Sequence, residues 1–392
     1  MEAKRPDAWF TYLCLITGNL NGVFSGARLL ISYRALELGG DGTAVGLITA
    51  AYSLLPLVVA LPIGRAADGR HIGRMIRLGS GLTVAALVVT GASENILSLV
   101  VGSVLLGLGQ VLTAVSAQGF IPSKSCPAEY DRRFAGLALA ISLGQAVGIP
   151  VAGSLASVPS LFGHRTSLPL LAMAALIAGS TILAYSKNLN AGPRADPREA
   201  VHRQSALAML MTPGMRPAIF SSLIVLASVD LMTAYLPVFG EQYRYPIEVV
   251  TLILTARSAS SVVSRFFLTR LLKAVPRRLL LTSATLCSSL PIALVPAFPN
   301  PLAVVALLIV AGFFWGIGQP MTMTWVATLV APSNRGSALS LRLTGNRLGQ
   351  VFIPMVTGTL AGSAGVGSVF VITSLLLAGA GISTLHSLKG PP

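Results

Sequence analysis

The chain has 392 residues, of which 53% are hydrophobic and only 10% charged, with a formal net charge of +15. A mean hydropathy of +0.76, with a charged fraction far below the ~25% of soluble domains, excludes an ordinary water-soluble fold and describes a chain solvated by lipid. The cations cluster at the ends of apolar runs, so the high isoelectric point reflects membrane topology and attraction to anionic lipid rather than nucleic-acid binding.

A bilayer-spanning helix needs about 20 mostly apolar residues. Runs of that kind fall near 9–33, 42–63, 75–93, 96–121, 134–158, 166–186, 216–239, 247–272, 278–298, 301–331, 336–361 and 366–388. The two-residue alternation of outer-membrane strands is missing, so the expected fold is an all-α membrane protein with twelve transmembrane helices. Residues 9–33 exceed the apolar region of a signal peptide and carry Asn19, Asn21 and Arg28, which makes them the first span.

Lys and Arg divide unequally between the two sides of the spans. Arg65, Arg70, Arg74, Arg77, Arg132, Arg133, Arg194, Arg198, Arg203, Arg277 and Arg278 fall on one side with both termini, whereas only Arg34, Arg165 and Arg244 fall on the other. The positive-inside rule then puts both termini in the cytoplasm. The longest polar interval, 187–215, separates the runs six and six. The expected domains are an N-terminal six-helix bundle over 1–186, a cytoplasmic linker over 187–215 and a C-terminal bundle over 216–392.

The halves resemble each other. Gly144, Gln145 and Gly153 in span five are echoed by Gly349, Gln350 and Gly358 in span eleven at an offset of 205 residues, with Pro150 and Pro354 displaced by one. Gly107, Gly109 and Gln110 in span four are echoed by Gly316, Gly318 and Gln319 in span ten. Internal duplication of this kind is common in transporters, whose binding sites lie between repeats.

The loop after span two packs an acid and several cations into Gly64, Asp68, Arg70, Gly73 and Arg74. Together with the twelve spans it resembles the G-x-x-x-D-R/K-x-G-R-R/K motif of the major facilitator superfamily, with Gly69 and His71 shifting the basic residue by one place. The resemblance covers essentially the whole chain and implies two pseudo-symmetric six-helix bundles that transport by alternating access. Gly64 leaves room for a neighbouring helix, and Asp68 can accept hydrogen bonds from basic groups or from the start of span eleven near Ser333, Asn334, Arg335 and Gly336. These residues are expected to gate the cytoplasmic side. Gly148 and Pro150 in span five resemble an element of exporters that exchange drugs or metabolites for protons. Span four lacks the arginine, and span one the aspartate, that many such exporters use.

Ionisable groups within the bilayer are functional candidates by default. Arg257 in span eight and Arg347 in span eleven lie near the midplane and suit an anionic substrate, because guanidinium is always charged and offers a planar fork of donors. Asn346 and Gln350 on span eleven, with Gln110, Gln319, Asn19, Asn21 and Gln145, are expected to complete a polar lining. Each arginine also has a structural reading, in which it bonds backbone carbonyls, pairs with Asp230 or holds helices together. Arg342 and Arg265, nearer the cytoplasm, are expected to snorkel. Asp230 in span seven is the deepest acid and the candidate proton carrier, since removal from water favours the neutral form of a carboxyl group. Its alternative is a permanent ion pair with Arg28 or Arg257.

Enzyme chemistry finds no support. His71, His164, His202 and His386 are scattered, and Cys14, Cys126 and Cys287 lack zinc or redox spacing. No phosphate-binding G-x-x-x-x-G-K-[ST] loop is present. The expected activity is secondary active export of a small organic anion or zwitterion in exchange for protons. Organic-anion uptake and a non-transporting receptor are the alternatives. The expected partners are a small-molecule substrate, membrane lipid and a proton gradient, without cofactor, metal or nucleic acid. The chain is read as a monomer in a bacterial inner membrane.

Overall fold

A computed structural model describes residues 8–67, 72–125, 129–158, 164–186, 205–330 and 335–387. Their regular structure is entirely helical. The first six helices are α1 (Ala8–Glu37), α2 (Gly42–Ala67), α3 (Ile72–Gly91), α4 (Ile96–Lys124), α5 (Tyr130–Ala156) and α6 (Ser167–Ser186). The short α7 (Ala206–Leu210) follows, and then α8 (Met215–Gln242), α9 (Ile247–Ala274), α10 (Arg277–Leu294), α11 (Pro301–Thr328), α12 (Arg335–Ala364) and α13 (Gly367–Ser387).

Apart from α7, these helices run from 18 to 30 residues and coincide one for one with the twelve expected spans. At 1.5 Å per residue they are about 27 to 45 Å long, enough for a hydrocarbon core of ~30 Å. Eight of them are by length and composition apolar enough to cross a membrane. The two longest, α1 and α12, are not among those eight, because Asn19, Asn21 and Arg28 interrupt the first and Arg342, Asn346, Arg347 and Gln350 the second. The protein is thus an all-α membrane protein; α1 and α12 carry Asn19, Asn346, Arg347 and Gln350, while Asp230, Arg257, Gln110, Gln145 and Gln319 lie on helices among the eight.

Several helix starts are written in the sequence. Asn95 Oδ1 accepts the amide of Ser98 at 2.9 Å to cap α4, and Asn300 Oδ1 accepts that of Leu302 at 2.9 Å ahead of Pro301. A side-chain acceptor followed by proline at the first helical position satisfies orphan donors and presets the backbone. Within the interval 187–215, Ser205 Oγ accepts the amide of Ala208 and starts α7. The described part of that polar interval therefore contains helix.

The chain divides into two compact units, one of residues 1–40 and 51–196, the other of 41–50 and 197–392. In the first, α1 packs chiefly on α5, and α3 on α4 and α6. In the second, α8 packs on α12, and α10 on α11 and α13, so the same neighbours recur. Residue contacts repeat as well. A side chain on Gly144 would strike the carbonyl of Gly18, and one on Gly349 would strike Leu223, which is 205 residues beyond Gly18. A side chain on Gly107 would strike the carbonyl of Tyr52, and one on Gly316 that of Ser261, both pairs related by 209 residues. Small residues at these points let helices approach to backbone contact.

Residues 41–50 pack within the second unit. The Tyr235 hydroxyl donates to the Gly42 carbonyl at 2.9 Å, Thr43 Oγ1 donates to the Gly358 carbonyl at 3.3 Å, and Gly46 lies against Gly358.

Candidate functional site

The second unit contains a polar seam where α8, α11 and α12 meet. Arg342, Asn346 and Gln350 recur every four residues along α12 and so share one face of that helix. All three are buried, at 3%, 2% and 5% exposure, and each finds a partner on a neighbouring helix. Arg342 Nη2 donates to Gln319 Oε1 at 2.7 Å and to Thr322 Oγ1 at 3.2 Å on α11. Gln319 Nε2 donates to the carbonyl of Ser222 on α8 at 3.3 Å, and the Ser222 hydroxyl donates to Asn346 Oδ1 at 2.9 Å. Gln319 and Asn346, both expected in a polar lining, are joined through Ser222. Arg342 does not snorkel as expected, because it is buried and its Nη2 donates to Gln319 and Thr322 inside the bundle.

Two turns along α8 from Ser222 lies Asp230, 5% exposed. Gln350 Nε2 donates to Asp230 Oδ2 in a short hydrogen bond, and Arg347 Nη1 donates to Gln350 Oε1 at 3.1 Å. Gln350 thus bridges the half-buried Arg347 to the buried acid. A carboxylate accepts only and a guanidinium donates only, so the amide between them takes the one orientation that satisfies both.

Arg257 on α9 is 5% exposed and donates from Nη2 to Ser258 Oγ at 3.2 Å. The polar stripe that follows it faces α11. Ser260 Oγ, Ser261 Oγ and Arg265 Nε donate to the carbonyls of Ile309, Gly312 and Gly316 at 2.7, 2.7 and 3.3 Å. Arg265, expected to snorkel, is half-buried and keeps this contact with α11.

The expected polar-lining residues of the first unit are neutral. Asn19, Gln110 and Gln145 are half-buried on α1, α4 and α5. Asn21 is buried and donates to the Thr17 carbonyl at 2.9 Å. The Arg28 guanidinium lies over the ring of Tyr52, 4.8 Å from its centroid. Arg34 and Arg165, which the charge count places opposite the termini, both lie against Glu37, at 3.6 and 3.7 Å. Thr166 Oγ1 donates to the same carboxylate at 2.7 Å, and Arg34 Nε to the Ser93 carbonyl at 3.1 Å. Nothing in the spacing of the sequence revealed this cluster, because Glu37 lies beyond the apolar run of span one.

Of the proposed gating residues, Asp68 and Arg70 lie outside the described residues, as do Ser333 and Asn334. Gly64 falls within α2; Gly73 is buried and Arg74 exposed in the first turn of α3.

The sequence profile of the Major Facilitator Superfamily matches residues 12–254 and 247–392. The chain belongs to that superfamily. Solved facilitator structures share its fold. A bacterial homologue of the human lysosomal transporter Spinster superposes with a TM-score of 0.78 at 14% identity, covering 97% of each chain. The nucleoside transporter NupG superposes with a TM-score of 0.75 at 14% identity, covering 98% of this chain and 100% of its own. No curated protein sequence matches. Membership of the superfamily makes the chain a multi-pass secondary transporter with a small-molecule substrate, and not an enzyme.

Proposed function

We propose that this facilitator exports a small organic solute of anionic or zwitterionic character in exchange for protons. In this reading Arg347 holds the substrate's anionic group, Arg257 contributes a second positive charge, Asp230 carries the proton, and Asn346, Gln319, Gln110, Asn19 and Gln145 supply neutral polar contacts. The observation that carries the reading is the bonded series Arg347, Gln350 and Asp230, which links the best anion-binding group to the deepest acid. Ionisable side chains at midspan are costly unless paired or used, and here a cation and an acid share one mediator. The exporter-like Gly148 and Pro150 of α5 favour outward transport. Gly64, Asp68, Arg70, Gly73 and Arg74 are assigned to cytoplasmic gating, and both termini to the cytoplasm of a bacterial inner membrane.

The test is flux into everted membrane vesicles with an imposed pH gradient. Accumulation of an anionic compound when the vesicle interior is acidic supports proton-coupled export. Accumulation only when the exterior is acidic would instead establish uptake by symport, the reading that the buried arginines alone would equally permit. Binding without any flux would identify a receptor.

A further inference from the structure

Residues 249–392 carry ten Lys and Arg and no Asp or Glu. The turn between α9 and α10 gathers three of these cations on the surface: Arg270 and Lys273 at the end of α9 and Arg278 at the start of α10, with Val275 and Pro276 between the helices. The one acid of α9 is Glu248 in its first turn, 22 residues before Arg270 and about 33 Å away along the axis. The helix macrodipole favours Lys273 at a C-terminus but disfavours Arg277 and Arg278 in a first turn, so helix stability does not account for that pair. The first unit differs. There Arg34 lies 3.6 Å from Glu37 and Arg133 2.9 Å from Glu129, and the position 205 residues before Lys273 is Asp68.

The apolar side chains of this turn divide between two directions. Leu271, Val275, Leu280 and Leu281 pack on the buried cluster around Ile317, Met321 and Trp325, which closes this end of the second unit. Phe266 and Phe267, one turn before Arg270, are exposed instead, as are Leu272 and Leu279. The Arg270 guanidinium lies over the Phe267 ring, 5.4 Å from its centroid. Along the outer surface of α9, aromatic rings therefore give way to cations towards the helix end. Acyl chains and phosphate groups follow each other in the same order at the surface of a bilayer leaflet.

We propose that the α9–α10 turn is a docking surface for anionic phospholipid, with Arg270, Lys273 and Arg278 against the phosphate groups and Phe266 and Phe267 among the acyl chains. The negative leaflet supplies the counter-charge that residues 249–392 lack. Guanidinium groups suit a phosphodiester because they offer it two parallel donors. Arg278 Nη2 also donates to the Leu385 carbonyl of α13 at 3.4 Å, which ties this surface to the last helix of the unit. Topology alone would make any three cations on this side of the chain equivalent, whereas a docking surface requires these three. The inference does not depend on the cargo or on proton coupling.

The experiment is photolabelling of the purified full chain in mild detergent with a phosphatidylglycerol whose reactive group sits on the acyl chain near the headgroup. In the unaltered protein the label is expected in peptides covering 263–280, displaced by unlabelled phosphatidylglycerol but not by phosphatidylcholine or by glycerophosphoglycerol, the headgroup without its chains. A cation near an anionic surface is worth about fivefold in affinity, so the triple variant Arg270→Gln, Lys273→Gln and Arg278→Gln should weaken labelling roughly 100-fold. The triple variant Arg194→Gln, Arg198→Gln and Arg203→Gln removes the same charge from the polar interval and should keep the label. Equal loss in both variants overturns the proposal in favour of general attraction, and displacement by the headgroup alone overturns it in favour of a free-anion site. Label spread evenly over the spans, or displaced equally by phosphatidylcholine, overturns it as well. If the first variant does not fold, the label position and the displacement series in the unaltered protein decide.

Discussion

Arg342 and Arg347 are five residues apart on one helix and have different surroundings. Arg342 is 3% exposed and donates to Gln319 and Thr322 of α11, so it serves as a brace between helices. Replacing it with Met leaves Gln319 Oε1 without its donor and is expected to cost about 1–3 kcal/mol of stability, read as a lower midpoint of thermal unfolding. Relative affinity for anionic and neutral ligands should not change. Arg347 is half-buried and donates to the Gln350 amide. A charge-assisted contact is worth ~1.5–3 kcal/mol. Arg347→Gln should therefore weaken anionic ligands about 10- to 100-fold while sparing neutral analogues, and uniform weakening of both classes would assign Arg347 to structure. The sequence identified both cations but could not separate them. Their partners lie on other helices, and helical spacing fixes which face a residue occupies without saying what faces it.

At the level of elements, the repeat of glycines was legible because duplication preserves spacing, and the structure gives the repeat its physical content. Gly144 meets backbone, the carbonyl of Gly18, whereas its counterpart Gly349 meets the side chain of Leu223. A leucine can change rotamer and a carbonyl in a helix cannot. Gly144→Ala is expected to prevent close approach of α1 and α5 and lower the yield of folded protein, while Gly349→Ala should be tolerated far better. Fluorescence-detected size-exclusion profiles before and after heating would compare the two. The Glu37 cluster was not legible, since it needs the extra turn of α1 beyond the apolar run and the start of α6. There, Arg34 is 2% exposed and Arg165 55%. Exposed ion pairs contribute about 0–1 kcal/mol, and breaking a buried one costs ~3–5 kcal/mol. Glu37→Gln should accordingly lower the unfolding temperature well beyond Arg165→Gln.

Across the whole molecule, duplication of the framework contrasts with divergence of its charge. The positions 205 residues before Asp230, Arg342, Asn346 and Arg347 are Ser25, Leu137, Ile141 and Ser142, and only Gln350 keeps its type, as Gln145. The first unit thus repeats the helix contacts of α8 and α12 without ionisable groups at these positions, so the proposed proton coupling would belong to the second unit. Asp230→Asn fixes that site in a permanently neutral form. The variant should lose accumulation driven by a pH gradient while retaining exchange of labelled for unlabelled solute, because exchange needs solute movement but no net proton. Its transport rate should also become flat with pH, measured in proteoliposomes with equal pH on both sides. Retained gradient-driven accumulation in Asp230→Asn would move the proton site elsewhere, and loss of both accumulation and exchange would make Asp230 a structural or substrate-holding group.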